Sequence, residues 1–149
     1  MRRVALAVAV VLLAAACGSG AVGGSGGGGS GSADAQVTFT PDPLRAGSVS
    51  FTVTITNDTT KAVALTFSSG QRADVTLSKG GDTVYTWSAA RSFTQEIGHV
   101  QVAAGGNEAF TLDDPDFAVP AGSYTLRATV TASNRFDLTA SRDVTVRSS

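Results

Sequence analysis

Between Val49 and Thr56 every second residue is apolar: Val49, Phe51, Val53 and Ile55 alternate with Ser50, Thr52, Thr54 and Thr56. Side chains of an extended chain point to opposite faces in turn, so this is the pattern of a strand with one buried face. An α-helix would scatter the same four residues around its circumference. The run stops at Asn57-Asp58-Thr59-Thr60, whose short polar side chains favour turns by bonding nearby backbone. Val63, Leu65 and Phe67 resume the alternation until Ser68-Ser69-Gly70. Ala73 to Ser78 and Thr83 to Ser88 flank Lys79-Gly80-Gly81-Asp82, a hairpin signal. Further strands are expected at Gln36 to Thr40, His99 to Ala103, Asn107 to Leu112, Ser123 to Ala132 and Leu138 to Arg147. No stretch carries a helical period with caps, so the class is all-β. Eight or nine short strands at this spacing predict an immunoglobulin-like antiparallel β-sandwich over residues 34–149.

A domain of this size buries roughly two-thirds of its unfolded surface. Phe39, Phe51, Phe67, Trp87, Phe93, Phe110, Tyr124 and Phe136 supply most of the large side chains for that purpose. Cys17 is the only cysteine, so no intramolecular disulfide helps.

The chain begins with Met1-Arg2-Arg3, an apolar run from Val4 to Leu13, and Ala14-Ala15-Ala16 ahead of Cys17. Basic, apolar and small-residue regions in that order make an export signal over residues 1–16. The apolar run is too short to span a hydrocarbon core of about 30 Å, which takes about 20 helical residues. Cys17 stands where a lipoprotein signal peptidase would leave it as the new N-terminus, and the stretch resembles the lipobox of bacterial lipoproteins. Ala14 departs from the leucine that motif usually has, and cleavage of an ordinary secretory signal after Ala16 is the competing reading. The lipobox resemblance implies an acylated Cys17 inserted in the lipid bilayer, on the extracytoplasmic face of a bacterial cell membrane. Two or more acyl chains anchor stably where one binds marginally. Residues 17–33, after Cys17, are almost entirely Gly and Ser, a composition that cannot bury enough apolar surface to fold. They read as a tether reaching on the order of 20 Å; an engineered linker has the same composition. Removing the signal leaves 9 of the 11 basic residues against 12 acidic ones, a net charge near −3, with the arginines scattered. Nucleic acid is therefore not an expected partner.

From Phe51 to Tyr124 several short motifs follow one another: Thr56-Asn57-Asp58-Thr59, Phe67-Ser68-Ser69-Gly70-Gln71, Asp74, Gly81, Val84-Tyr85-Thr86-Trp87-Ser88, Phe93-Thr94-Gln95 and Pro120-Ala121-Gly122-Ser123-Tyr124. Their order resembles the BsuPI family of intracellular proteinase inhibitors, over about residues 48–132. The resemblance implies inhibition of a subtilisin-like serine protease by protein–protein contact, with no cofactor. It points to Gly70, Gln71, Trp87, Phe93 and Gln95 as candidate partner-binding residues. An exported, anchored chain would meet proteases or other envelope proteins different from those of an intracellular inhibitor. A non-inhibitory structural or assembly module of the cell envelope is the alternative. The residues themselves also have structural uses. Asn57 and Thr59 can close a turn, Gly70 can take a positive φ, Gln71 and Asp74 can satisfy loop backbone, and Trp87 needs an acceptor for its indole N–H.

Enzyme chemistry finds little purchase. A Ser-His-Asp centre would have to use His99, the single histidine, which reads as a polar residue at a strand edge. Zinc would need several His or Cys ligands. Asp113, Asp114 and Asp116 cluster carboxylates that could hold calcium, but without the twelve-residue loop such sites use, and the run reads as an acidic, solvated turn fixed by Pro115. Asn57-Asp58-Thr59 also matches a glycosylation sequon, a match that is common by chance. Replacing Cys17 by Ala is expected to move the processed protein from the membrane to the soluble fraction on cell fractionation; continued membrane association would refute lipidation as the tether.

Overall fold

The computed structural model describes residues 32–149 as ten strands and one 3-10 turn, so Cys17 and the Gly/Ser tether lie outside the described residues. The strands are β1 (Ala33–Thr40), β2 (Leu44–Arg45), β3 (Gly47–Asn57), β4 (Val63–Phe67), β5 (Ala73–Lys79), β6 (Asp82–Thr86), β7 (Gly98–Val102), β8 (Asn107–Phe117), β9 (Gly122–Val130) and β10 (Thr139–Arg147). They form an immunoglobulin-like β-sandwich. One sheet has the order β1-β3-β8, the second β2-β10-β9-β5-β6, and β4 and β7 make a separate ribbon. All pairings are antiparallel except the short parallel one between β2 and β10.

The alternation in β3 does what period two requires. Val49, Phe51, Val53 and Ile55 are fully buried and meet Tyr124, Leu126, Ala128 and Val130 of β9 and Ala73, Val75 and Leu77 of β5 in a single core. The hairpin between β5 and β6 turns on Gly80 and Gly81, with φ of 60° and 92°, the left-handed conformations such a turn needs.

Two expectations are corrected. Asp113-Asp114-Pro115-Asp116 is not a solvated turn but part of β8, which runs on to Phe117. The proline is tolerated because β8 has an extra residue there: Asp114 pairs with Val49 and Phe117 with Gly47, leaving Pro115 and Asp116 in a bulge. The extra residue resets the alternation that buries Leu112 and Asp114, and so turns Phe117 inward, a core aromatic that a turn at this point would conceal. Phe136, counted above among the side chains available to the core, is 83% exposed in the loop between β9 and β10.

That loop has another use. Asn134 accepts from the Thr66 N–H at 2.9 Å and donates to the Ala64 carbonyl at 2.8 Å, while the Ser133 N–H donates to the Thr66 carbonyl at 2.7 Å. The outer edge of β4 is thereby covered by groups that imitate a neighbouring strand. Asn57 performs a similar service at the end of β3. Fully buried, its amide donates to the carbonyls of Lys61, Val102 and Ala103, and its oxygen accepts from the Thr59 N–H and hydroxyl. The expected turn through Thr59 is present, and the amide is committed to carbonyls rather than open to a glycan.

Asn57→Ala is expected to destabilise the fold by about 2–4 kcal/mol, because several buried carbonyls lose a donor at about 1–3 kcal/mol each. Phe136→Ala, at an exposed position, should change stability by less than about 0.5 kcal/mol. Urea unfolding of the two variants measures the contrast.

Candidate functional site

Past Thr86 the chain leaves β6 and forms the 3-10 turn Trp87–Ala90, which places Trp87 over the outer edge of β8. The indole is half-buried, and its N–H donates to the Asp113 carbonyl at 3.0 Å, which supplies the expected acceptor. Ser88 ties the turn to β5: its N–H donates to the Asp74 carboxylate at 3.1 Å, and its hydroxyl donates to the same group. Asp74 thus satisfies loop backbone, as anticipated.

Arg91 holds the tryptophan from the other side. Its guanidinium lies 4.3 Å from the indole centroid, donates to the Trp87 and Asp113 carbonyls, and stands 3.6 Å from the Asp114 carboxylate. A planar fork of five donors can serve these acceptors and stack at once, which a lysine ammonium cannot. The second oxygen of Asp114 accepts from the Tyr85 hydroxyl at 2.7 Å, and the Tyr85 ring packs edge-on against Phe117 with centroids 5.1 Å apart. Tyr85 belongs to a motif singled out in the sequence but without a role there, and Arg91 stands in none of those motifs, although it follows Trp87 by one short turn.

The remaining wall comes from the loops on either side. Phe93 sits with its ring 5.9 Å from that of Trp87, and the Thr94 carbonyl accepts from the Gly70 N–H at 2.8 Å. Gly70 does not take a positive φ, contrary to expectation. Its constraint is space: a Cβ there would stand 2.6 Å from the Thr94 hydroxyl oxygen. Gln71 secures the neighbouring strand end, its carbonyl accepting from the Thr131 hydroxyl at 2.8 Å.

Between these parts lies a groove of about 250 Å³ with Gly70, Gln71, Trp87 and Phe93 on its walls and Phe110 and Thr111 of β8 along its floor. Four of the five residues singled out from the sequence therefore come together across loops far apart in the chain. Gln95 does not join them; it is exposed and outside the groove lining. A wider hollow of about 600 Å³ lies on the far side of Arg91, bordered by Tyr85, Asp114 and Pro115.

The carboxylates of Asp113, Asp114 and Asp116 do not form a calcium site. Asp113 and Asp114 point to opposite faces of β8, and Asp114 is occupied by Tyr85 and Arg91. Among the described residues, no group of three His, Cys, Asp or Glu side chains is placed to hold a metal ion. His99 is exposed on β7 with its Nδ1 3.4 Å from the Thr66 hydroxyl.

Burial, followed by the bond to Asp114, pushes the Tyr85 phenol well above its ordinary value, so the folded protein keeps it neutral. An acid whose pKa is raised by folding contributes stability that is full below its unfolded value, about 10, and is lost as pH rises beyond it. Thermal melts from pH 8 to 11 should show a steeper alkaline decline for the parent protein than for Tyr85→Phe. At neutral pH the variant should be less stable by about 1–3 kcal/mol, because Asp114 loses a donor.

The pattern of the intracellular proteinase inhibitor family BsuPI matches residues 34–135. No curated protein matches the chain. Among solved structures, a sporulation control protein of Bacillus subtilis is similar with a TM-score of 0.52 and 12% identity, over 78% of this chain and 50% of that one. This chain thus spans about half the length of that protein, and the likeness is one of fold alone. A CARDB domain from Pyrococcus furiosus, solved with di-metal ions, gives a TM-score of 0.42 and 19% identity over 77% of this chain and 89% of that one. A β-glucosidase from Listeria innocua gives a TM-score of 0.41 and 16% identity over 78% of this chain and 16% of that one. With the family pattern covering well over half of the sequence, the chain belongs to the BsuPI family of intracellular proteinase inhibitors.

Proposed function

We propose that this protein is a lipid-anchored binding domain on the extracytoplasmic face of a bacterial membrane, where it inhibits a subtilisin-like serine protease by direct contact through the Trp87 groove. The observation that carries this reading is the meeting of Gly70, Gln71, Trp87 and Phe93 at one surface in a domain of an inhibitor family. Trp87 suits the role of an anchor: it is half-buried, bonded at its N–H and pinned by Arg91, so a partner meets it already ordered. The role is one of binding rather than catalysis, and it calls for no cofactor. Acylation of Cys17 and the Gly/Ser tether would hold the groove within reach of envelope proteins.

The export signal favours a second reading, since the family's described role is intracellular. A non-inhibitory module that aids envelope assembly would use the same surface for a partner that is not a protease.

The full-length protein in detergent micelles, titrated against a panel of subtilisin-like proteases, separates the two. A dose-dependent loss of activity on casein and on a small chromogenic peptide is expected, weakened about tenfold or more by Trp87→Ala. No loss for any protease at micromolar protein would sink the inhibitor reading.

A further inference from the structure

The floor of the groove is a strand edge whose hydrogen bonds are unmade. β8 is the last strand of its sheet, paired with β3 on one side only. In an antiparallel ladder, alternate residues of an edge strand turn both backbone groups toward the partner or both away from it. The Asn57 N–H donates to the Gly106 carbonyl, in register with the β3–β8 ladder, so residues of even number in this part of β8 face β3. The Asp113 carbonyl confirms the phase independently, since it points outward to Trp87 and Arg91. Ala109 and Thr111 therefore present their N–H and C=O to the groove, and among the described residues neither makes a hydrogen bond there.

We propose that the groove binds an extended peptide segment by strand addition to Ala109–Thr111 of β8. The proposal rests on the reading of this face as the partner surface and specifies the occupant. Free donors and acceptors at the spacing of a strand are satisfied best by another extended backbone. The surroundings select a single loose segment over a second folded copy: Gly70, Gln71, Trp87 and Phe93 line the same recess as Ala109 to Thr111, so the edge does not stand proud of its neighbours. The aromatic side chains of Trp87, Phe93 and Phe110 provide an apolar slot for one side chain of the segment. Among the described residues, Arg72 is the one charged side chain lining the groove, which favours neutral or acidic residues around the inserted side chain.

The test selects linear octapeptides from a random phage-displayed library on the full-length protein in micelles and measures their affinity by fluorescence anisotropy. Selected peptides should carry one large apolar residue with neutral or acidic neighbours, and N-methylation of their alternate backbone amides should weaken binding about tenfold. Thr111→Pro removes an outward N–H, which an edge strand tolerates, and should weaken binding similarly with the melting temperature little changed. If that variant fails to fold, the N-methylated peptides decide the matter on the parent protein. Failure to select any peptide, or affinity unmoved by N-methylation, would overturn the proposal, as would a dimer in sedimentation that is abolished by Thr111→Pro. Protease inhibition retained in full by a folded Thr111→Pro protein would refute strand addition and leave the inhibitor reading intact. Peptide binding without inhibition of any protease would do the reverse.

Discussion

One guanidinium settles the arrangement of the Trp87 end of this sandwich. The pleat of β8 turns the Asp114 carboxylate inward and leaves the Asp113 carbonyl at the outer edge, two groups that one neighbour can reach only from the rim. A carboxylate withdrawn from water is costly unless it is paired and hydrogen-bonded. Arg91 and Tyr85 meet that requirement together, one supplying charge and the other a hydroxyl. Because the same Arg91 also serves the Asp113 carbonyl and lies on the indole, the cost of a misplaced tryptophan is shared with a buried charge. The wall of the groove inherits its rigidity from that coupling.

The treatment of strand edges shows a division of labour across the molecule. β4 is shielded by Ser133 and Asn134, and the end of β3 by the amide of Asn57. Such shielding prevents unwanted pairing with other chains. Along β8 the cover reaches only Asp113, where Trp87 and Arg91 take the carbonyl, and the next residues toward the start of the strand remain open within a walled recess. The fold thus combines a closed core with a restricted recess along β8 where backbone is offered.

Much of this was legible because strands announce themselves through period two. Nine of the ten strands follow from alternation and turn residues, and the core faces of β3 and β9 were readable residue by residue. β2 was not, because two residues are too few to show a period. The C-terminal half of β8 was hidden by composition, since three aspartates and a proline imitate a turn unless a bulge is known to be there. Phe117 was lost with it. Gly70 was recognised as constrained but for the wrong reason, because close approach by Thr94 depends on a loop more than twenty residues away. The role of Tyr85 and the presence of Arg91 at the site are not legible in the sequence, because a tyrosine or arginine in a strand or loop has no pattern that names its partner.

The sequence by itself determined the all-β class, the positions of most turns and the family, since each of these depends on neighbours along the chain. The proposed export signal and anchor at Cys17 likewise rest on the order of residues along the chain rather than on their arrangement in space. Tertiary structure decided what those residues do together. Only the folding of the 3-10 turn over the rim of β8 brings Trp87 to Asp113, sets Phe93 beside it and leaves Gln95 outside. The phase of the β3–β8 ladder then chooses which backbone groups of β8 face outward, and a shift of one residue would exchange them. That choice is made by burial of alternate side chains against the opposite sheet, a long-range interaction that no local stretch of sequence contains.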